Sequence, residues 1–188
     1  GLPSGRASSS TPAVFDGKVY AALSEKVYCL DAEKGTIIWE APLSGKKGPA
    51  SSPLVIEGKV YLLQNTLTAW DAANGKELWM NADVKGSNSS PVAWKQLIIA
   101  NSQGQVVATD RETGTTIWSV PGGGDATPAV VEDTLVVTST LDGKNLIAYD
   151  LSDTGAKERW SYGFLAQRYS ASPIVHEGYV YHLCSDRH

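Results

Sequence analysis

Three residues near the C-terminus, His182, Cys184 and His188, have side chains that ligate transition metals. Imidazole and thiolate are ligands that zinc favours. In an extended strand His182 and Cys184 would share one face, because alternate residues point the same way. The spacing His182-x-Cys184-x3-His188 fits no established zinc pattern. The plainer expectation is a strand with a polar tail, and no metal site is assigned. Gly122-Gly123-Gly124-Asp125 has the glycines of a phosphate loop but no following Gly-Lys-[Ser/Thr], so it reads as a linker. No Gly-x-Ser-x-Gly elbow presents a serine nucleophile. Cys29 and Cys184 are far apart and stand in apolar, strand-like runs. They read as two buried thiols rather than a disulfide framework. No catalytic residue emerges.

What does recur is a spacing. Asp-x3-Gly-x3-Trp occurs as Asp31/Gly35/Trp39, Asp71/Gly75/Trp79 and Asp110/Gly114/Trp118. A fourth copy, Asp150/Gly155/Trp160, has one extra residue in each gap. Successive tryptophans are 40, 39 and 42 residues apart. A period near 40 marks one structural unit copied along the chain. An Asp side chain can bond the backbone amides of its own turn. Glycine can take the left-handed conformation that ends a short loop. The indole then falls at a fixed step into the next strand. These twelve residues are expected to dock one repeat on the next. Trp70 and Trp94 fall outside the spacing and read as local core or surface aromatics.

A second marker aligns the copies. [Ser/Thr]-Pro occurs at Thr11-Pro12, Ser52-Pro53, Ser90-Pro91, Thr127-Pro128 and Ser172-Pro173. Proline lacks an N–H and suits a strand start. Each short strand leads to a tight turn: Asp16-Gly17, Glu57-Gly58, Lys95-Gln96, Glu132-Asp133 or Glu177-Gly178. A second strand, a polar turn and a third strand follow. The Asp-x3-Gly turn then opens a fourth strand that carries the Trp. No stretch shows a helical period. The expectation is an all-β protein, a β-propeller of four-stranded antiparallel blades.

These residues resemble the PQQ-type (quinoprotein-like) repeat. Its tryptophan-docking motif runs close to Ala-x-Asp-x-x-[Thr/Asn]-Gly-x-x-x-Trp. It stands here as Ala69-Trp-Asp71-Ala-Ala-Asn74-Gly75-Lys-Glu-Leu-Trp79 and as Ala108-Thr-Asp110-Arg-Glu-Thr113-Gly114-Thr-Thr-Ile-Trp118. The first copy has Cys29 and Lys34 at the Ala and Thr places. The resemblance implies a propeller of seven or eight blades, of which this chain would be an incomplete arc. Blades are expected at about 10–49, 50–87, 88–125 and 126–169, with a partial fifth at 170–188 and a flexible segment at 1–9. The resemblance also leaves three functions open. One is a non-catalytic scaffold binding proteins or small ligands, as in the outer-membrane-assembly lipoprotein of the BamB kind. Another is part of a PQQ-dependent dehydrogenase oxidising alcohols or sugars. The third is the sensor domain of a bacterial receptor kinase. The dehydrogenase reading implies PQQ with Ca²⁺, an acidic base and often a vicinal Cys pair, and no two cysteines are adjacent here.

The bulk numbers fit a soluble globular protein. Of 188 residues 42% are hydrophobic and 19% charged, with a net charge of −4. No basic run extends past Lys46-Lys47, which argues against nucleic acid or an anionic membrane as partner. No apolar run reaches the ~18 residues of a membrane span. The first ten residues lack the apolar core of a signal peptide. An extracytoplasmic, periplasmic setting is expected from the resemblance alone. The chain stops within the fifth copy, so the expected partners are a protein, the missing blades, or a second copy on the open blade faces.

Overall fold

The computed structural model describes residues 9–23, 25–44, 50–86, 88–163 and 171–183. They are all strand, turn and coil. The first repeat contains β1 (Ala13–Phe15), β2 (Lys18–Leu23), β3 (Lys26–Asp31) and β4 (Ile37–Pro42). The second contains β5 (Leu54–Ile56), β6 (Lys59–Gln64), β7 (Thr66–Asp71) and β8 (Glu77–Asn81). In the third are β9 (Val92–Trp94), β10 (Leu97–Asn101), β11 (Gln105–Asp110) and β12 (Thr116–Pro121). The fourth has β13 (Ala129–Val131), β14 (Thr134–Leu141), β15 (Lys144–Ser152) and β16 (Gly155–Tyr162). Each forms a four-stranded antiparallel sheet in chain order. In the fifth copy β17 (Ile174–His176) pairs with β18 (Tyr179–Tyr181).

The chain divides into two compact units at Ser90/Pro91. The first holds two repeats around a core of Tyr20, Val27, Trp39, Val60, Leu62 and Trp70. The second holds the rest, with a core that includes Ile99, Trp118, Leu135, Ile147 and Tyr149. Trp70 and Trp94 are both buried core residues. Among the described residues no helix is long and apolar enough to cross a membrane.

Local chemistry explains the repeats. The first residue of every β1–β2 type turn (Asp16, Glu57, Lys95, Glu132, Glu177) has φ between +47° and +51°. Such turns match the twist of a two-residue hairpin. In every complete repeat a register shift directly precedes the motif tryptophan. Cys29 pairs with Trp39 but Leu30 pairs with Ile37, skipping Ile38. Leu78, Ile117 and Arg159 are skipped in the same way. A bulge turns its extra residue outward and re-aims the next side chain, and Ile38, Leu78 and Ile117 are accordingly exposed. The residue opposite each indole is small: Cys29, Ala69, Ala108 or Ala148. That gives the alanine of the motif a steric reason, since a larger side chain would fill the indole's place on the same face.

Candidate functional site

The repeated motif is the feature that chemistry has to be read from, and its first three copies fold alike. Asp31 Oδ1 accepts from the amides of Glu33 at 3.0 Å and Lys34 at 2.8 Å. Asp71 Oδ1 accepts from Ala73 at 2.8 Å and Asn74 at 3.2 Å. Asp110 Oδ1 accepts from Glu112 at 3.0 Å and from Thr113 at 2.8 Å, with the Thr113 hydroxyl donating as well at 2.9 Å. The bond from the Thr113 amide is the main reason that the Asp110 carboxyl lies below its usual value. The glycine amide closes each turn on the carbonyl of its Asp at 2.9 Å. Gly35, Gly75 and Gly114 are left-handed, with φ of +65°, +73° and +76°. The closed turn becomes a fixed platform rather than a mobile loop.

Within the first unit the platform has an occupant. Trp39 Nε1 donates to the Ala72 carbonyl of the next repeat at 2.9 Å. The Tyr20 hydroxyl donates to the same carbonyl at 3.2 Å. The indole lies so close to Gly75 that a Cβ there would stand 2.6 Å from Trp39 Cε3. The two rings of the first repeat sit 6.0 Å apart and tilted. Tyr61 and Trp79 keep the same relation at 5.8 Å. Burial pushes the Tyr20 phenol up to about 12. Burial does the same to Tyr149, also to about 12.

Those raised phenols give a pH prediction. The native state favours the neutral form, so this stability is fully present below the ordinary tyrosine value of 10.0. It is lost as pH rises from there toward 12. Denaturant unfolding should show stability falling steeply between pH 10 and 11.5. Tyr20→Phe should flatten that fall while lowering stability at pH 8. A slope unchanged by Tyr20→Phe would remove Tyr20 from the explanation.

The fourth copy departs from the others. Asp150 does not cap its own turn. Its Oδ1 accepts from Arg159 Nε at 2.6 Å, and the guanidinium of Arg159 completes an ion pair. Gly155 is not left-handed. The ladder of β15 and β16 runs on to Ser152 opposite Gly155. Trp160 remains 38% exposed, against 8% for Trp39. The two inserted residues, foreseen only as a loosening, rebuild the turn as a longer hairpin.

A second joint lies in the [Ser/Thr]-Pro marker. The Thr11 amide donates to Ser52 Oγ, and the Ser52 amide to Ser90 Oγ, both at 2.9 Å. The Thr127 amide donates to Ser172 Oγ at 3.0 Å. Each bond spans one repeat, so the Ser52, Ser90 and Ser172 hydroxyls each tie one copy of the marker to the copy before it. In the sequence the proline of this pair marks a strand start, and the hydroxyl beside it is the signal of the joint. Ser90→Ala should cost about 1 kcal/mol, with faster exchange at the Ser52 amide. An unchanged Ser52 amide would show that the bond is not made in solution.

The other candidates do not converge. His182 Nε2 lies 3.2 Å from the Ala171 carbonyl, while Cys184 and His188 lie outside the described residues. Cys29 is buried, and burial raises its thiol. Gly123 is tied by its amide to Asn101 Oδ1 at 2.9 Å, as befits a linker. Among the described residues no three His, Cys, Asp or Glu side chains are placed to hold a metal ion.

Comparison with known proteins agrees with this architecture. A family model described as outer membrane protein assembly factor BamB matches residues 3–121 and again 102–188. The BamB of Alkalilimnicola ehrlichii is 28% identical over 166 residues, covering 80% of this chain and 43% of the relative. The quinohemoprotein alcohol dehydrogenase of Comamonas testosteroni is 32% identical over 149 residues, covering 64% of this chain and 21% of that enzyme. This chain thus spans less than half the length of either relative. The crystal structure of BamB from Moraxella catarrhalis superposes with a TM-score of 0.72 at 22% identity, over 87% of this chain and 52% of that one. That likeness shows the fold: the four-stranded sheets are β-propeller blades. The chain belongs to the family of PQQ-type repeat proteins described as outer membrane protein assembly factor BamB.

Proposed function

We propose that this chain is part of a non-catalytic, extracytoplasmic propeller scaffold that holds a protein partner during outer-membrane assembly. The carrying observation is that the family match runs from residue 3 to 188 and the repeated residues in it serve structure. Asp31, Asp71 and Asp110 close turns, and Trp39 seats on the next repeat. Side chains used this way build a rigid surface rather than a reaction centre. The assembly role and the extracytoplasmic setting are carried over from the names of the relatives.

A dehydrogenase is the second reading, favoured by the 32% identity to the Comamonas quinohemoprotein. Under it, PQQ and Ca²⁺ would be held by residues outside those described. The two readings part in an absorbance titration of the full-length protein with PQQ and Ca²⁺, followed by dye-linked oxidation of primary alcohols. The scaffold reading expects neither saturable uptake nor turnover. Uptake at one site together with alcohol oxidation would overturn it.

A further inference from the structure

The joint between the first two repeats and the joint between the third and fourth each lie within one compact unit, and they are built differently. Trp39 and Trp118 are equally buried, at 8% and 7% exposure. Trp39 has its acceptor in the Ala72 carbonyl and its seat on Gly75. Among the described residues no protein group accepts from Trp118 Nε1. The platform it would use belongs to the rebuilt fourth turn. There the ladder continues to Ser152 and Gly155, and a Cβ on Gly155 would meet nothing within 4 Å.

Other contacts take over. Asn101, at the end of β10, is 1% exposed. Its Nδ2 donates to the Ala126 carbonyl at 3.2 Å and to the Thr138 carbonyl of the fourth repeat at 3.3 Å. Its Oδ1 accepts from the Gly123 amide at 2.9 Å. One side chain thus joins the third repeat, the linker and the fourth repeat. The Ser139 hydroxyl donates to the Gly122 carbonyl at 3.3 Å, and the Tyr149 hydroxyl to the Pro121 carbonyl at 2.6 Å. The glycines permit this closeness. A Cβ on Gly122 would stand 2.5 Å from Val106 Cγ2, and one on Gly123 would stand 2.5 Å from the Gly104 amide nitrogen. The first and second repeats carry Ala22 and Leu63 where the third has Asn101, so they cannot make this contact.

We infer that the third and fourth repeats are locked by a polar clasp centred on Asn101, which pins linker 121–126, and that Trp118 fills the joint without locking it. A buried indole N–H with no acceptor is a cost rather than a gain. The clasp is a conformational device: this joint opens when the linker is released, whatever the indole does. Its residues are placed so that one event frees the Gly123 amide and the contact to β14 together.

Two measurements on the 188-residue chain test this. In a ¹H–¹⁵N spectrum the Trp39 indole N–H should lie downfield with a small temperature coefficient, and that of Trp118 should not. Trp39→Phe should lower the unfolding midpoint more than Trp118→Phe, because both truncations leave a similar cavity and only the first also removes a hydrogen bond. Asn101→Ala should speed exchange at the Gly123 amide and open linker 121–126 to protease, with Trp118→Phe doing neither. Should Asn101→Ala fail to fold, the indole spectrum and the two Phe variants still decide. A hydrogen-bonded Trp118 indole, or a Trp118→Phe loss as large as that of Trp39→Phe, would overturn the inference.

Discussion

Trp39→Ala should destabilise the unit that carries it by about 3–5 kcal/mol, the range for deleting a buried aromatic. Three losses combine. The indole gives up its buried area, roughly 150–250 Å², which at roughly 25 cal/mol/Å² amounts to about 4–6 kcal/mol gross. A cavity remains between the first repeat and the Ala72–Gly75 turn, because the platform is fixed by Asp71 and cannot collapse far. The Ala72 carbonyl also loses its indole donor, keeping only that of Tyr20. Denaturant unfolding followed by the remaining tryptophans would measure the change. Trp160→Ala is the control, since Trp160 is 38% exposed and should cost much less. Equal losses for the two would mean that burial at the joint does not set the value of these tryptophans.

Gly75→Ala should rank next, at about 2–5 kcal/mol. Two effects add. A non-glycine residue in the left-handed region costs roughly 1–2 kcal/mol, and Gly75 has φ +73°. Forcing a methyl into a filled space adds about 1–3 kcal/mol, and here the methyl would stand 2.6 Å from Trp39 Cε3. Gly35→Ala separates the effects, because φ is +65° there and a Cβ would meet nothing within 4 Å. It should cost only the backbone part, roughly 1–2 kcal/mol. The difference between the two variants is the steric share of the joint. If Gly35→Ala cost as much as Gly75→Ala, the indole would not be resting on Gly75 in solution.

Much of this architecture was legible in the sequence because each repeat says the same thing three or four times. The tight turns at Asp16, Glu57 and Lys95, the strand starts at proline and the Asp-capped turns needed only local chemistry. The joints were less legible. The bulge before each Trp has no residue signature beyond the step itself, since Ile38, Leu78 and Ile117 look like ordinary strand residues until the register skips them. The fourth copy misled for a physical reason. One extra residue on each side of Gly155 preserves the order Asp, Gly, Trp but lets the ladder run three pairs further, and Asp150 turns to Arg159. Asn101 stayed hidden because an isolated Asn at a strand end looks like a turn residue. Its partners, Gly123, Ala126 and Thr138, are 22 to 37 residues away.

The scaffold reading is tested most directly in the organism that carries the gene, by deleting the full-length gene and measuring folded β-barrel proteins in the outer membrane by heat-modifiable gel mobility. An assembly scaffold predicts that folded barrels fall and that the full-length gene restores them. An unchanged outer membrane, with PQQ-dependent alcohol oxidation lost instead, would contradict the scaffold and establish the dehydrogenase.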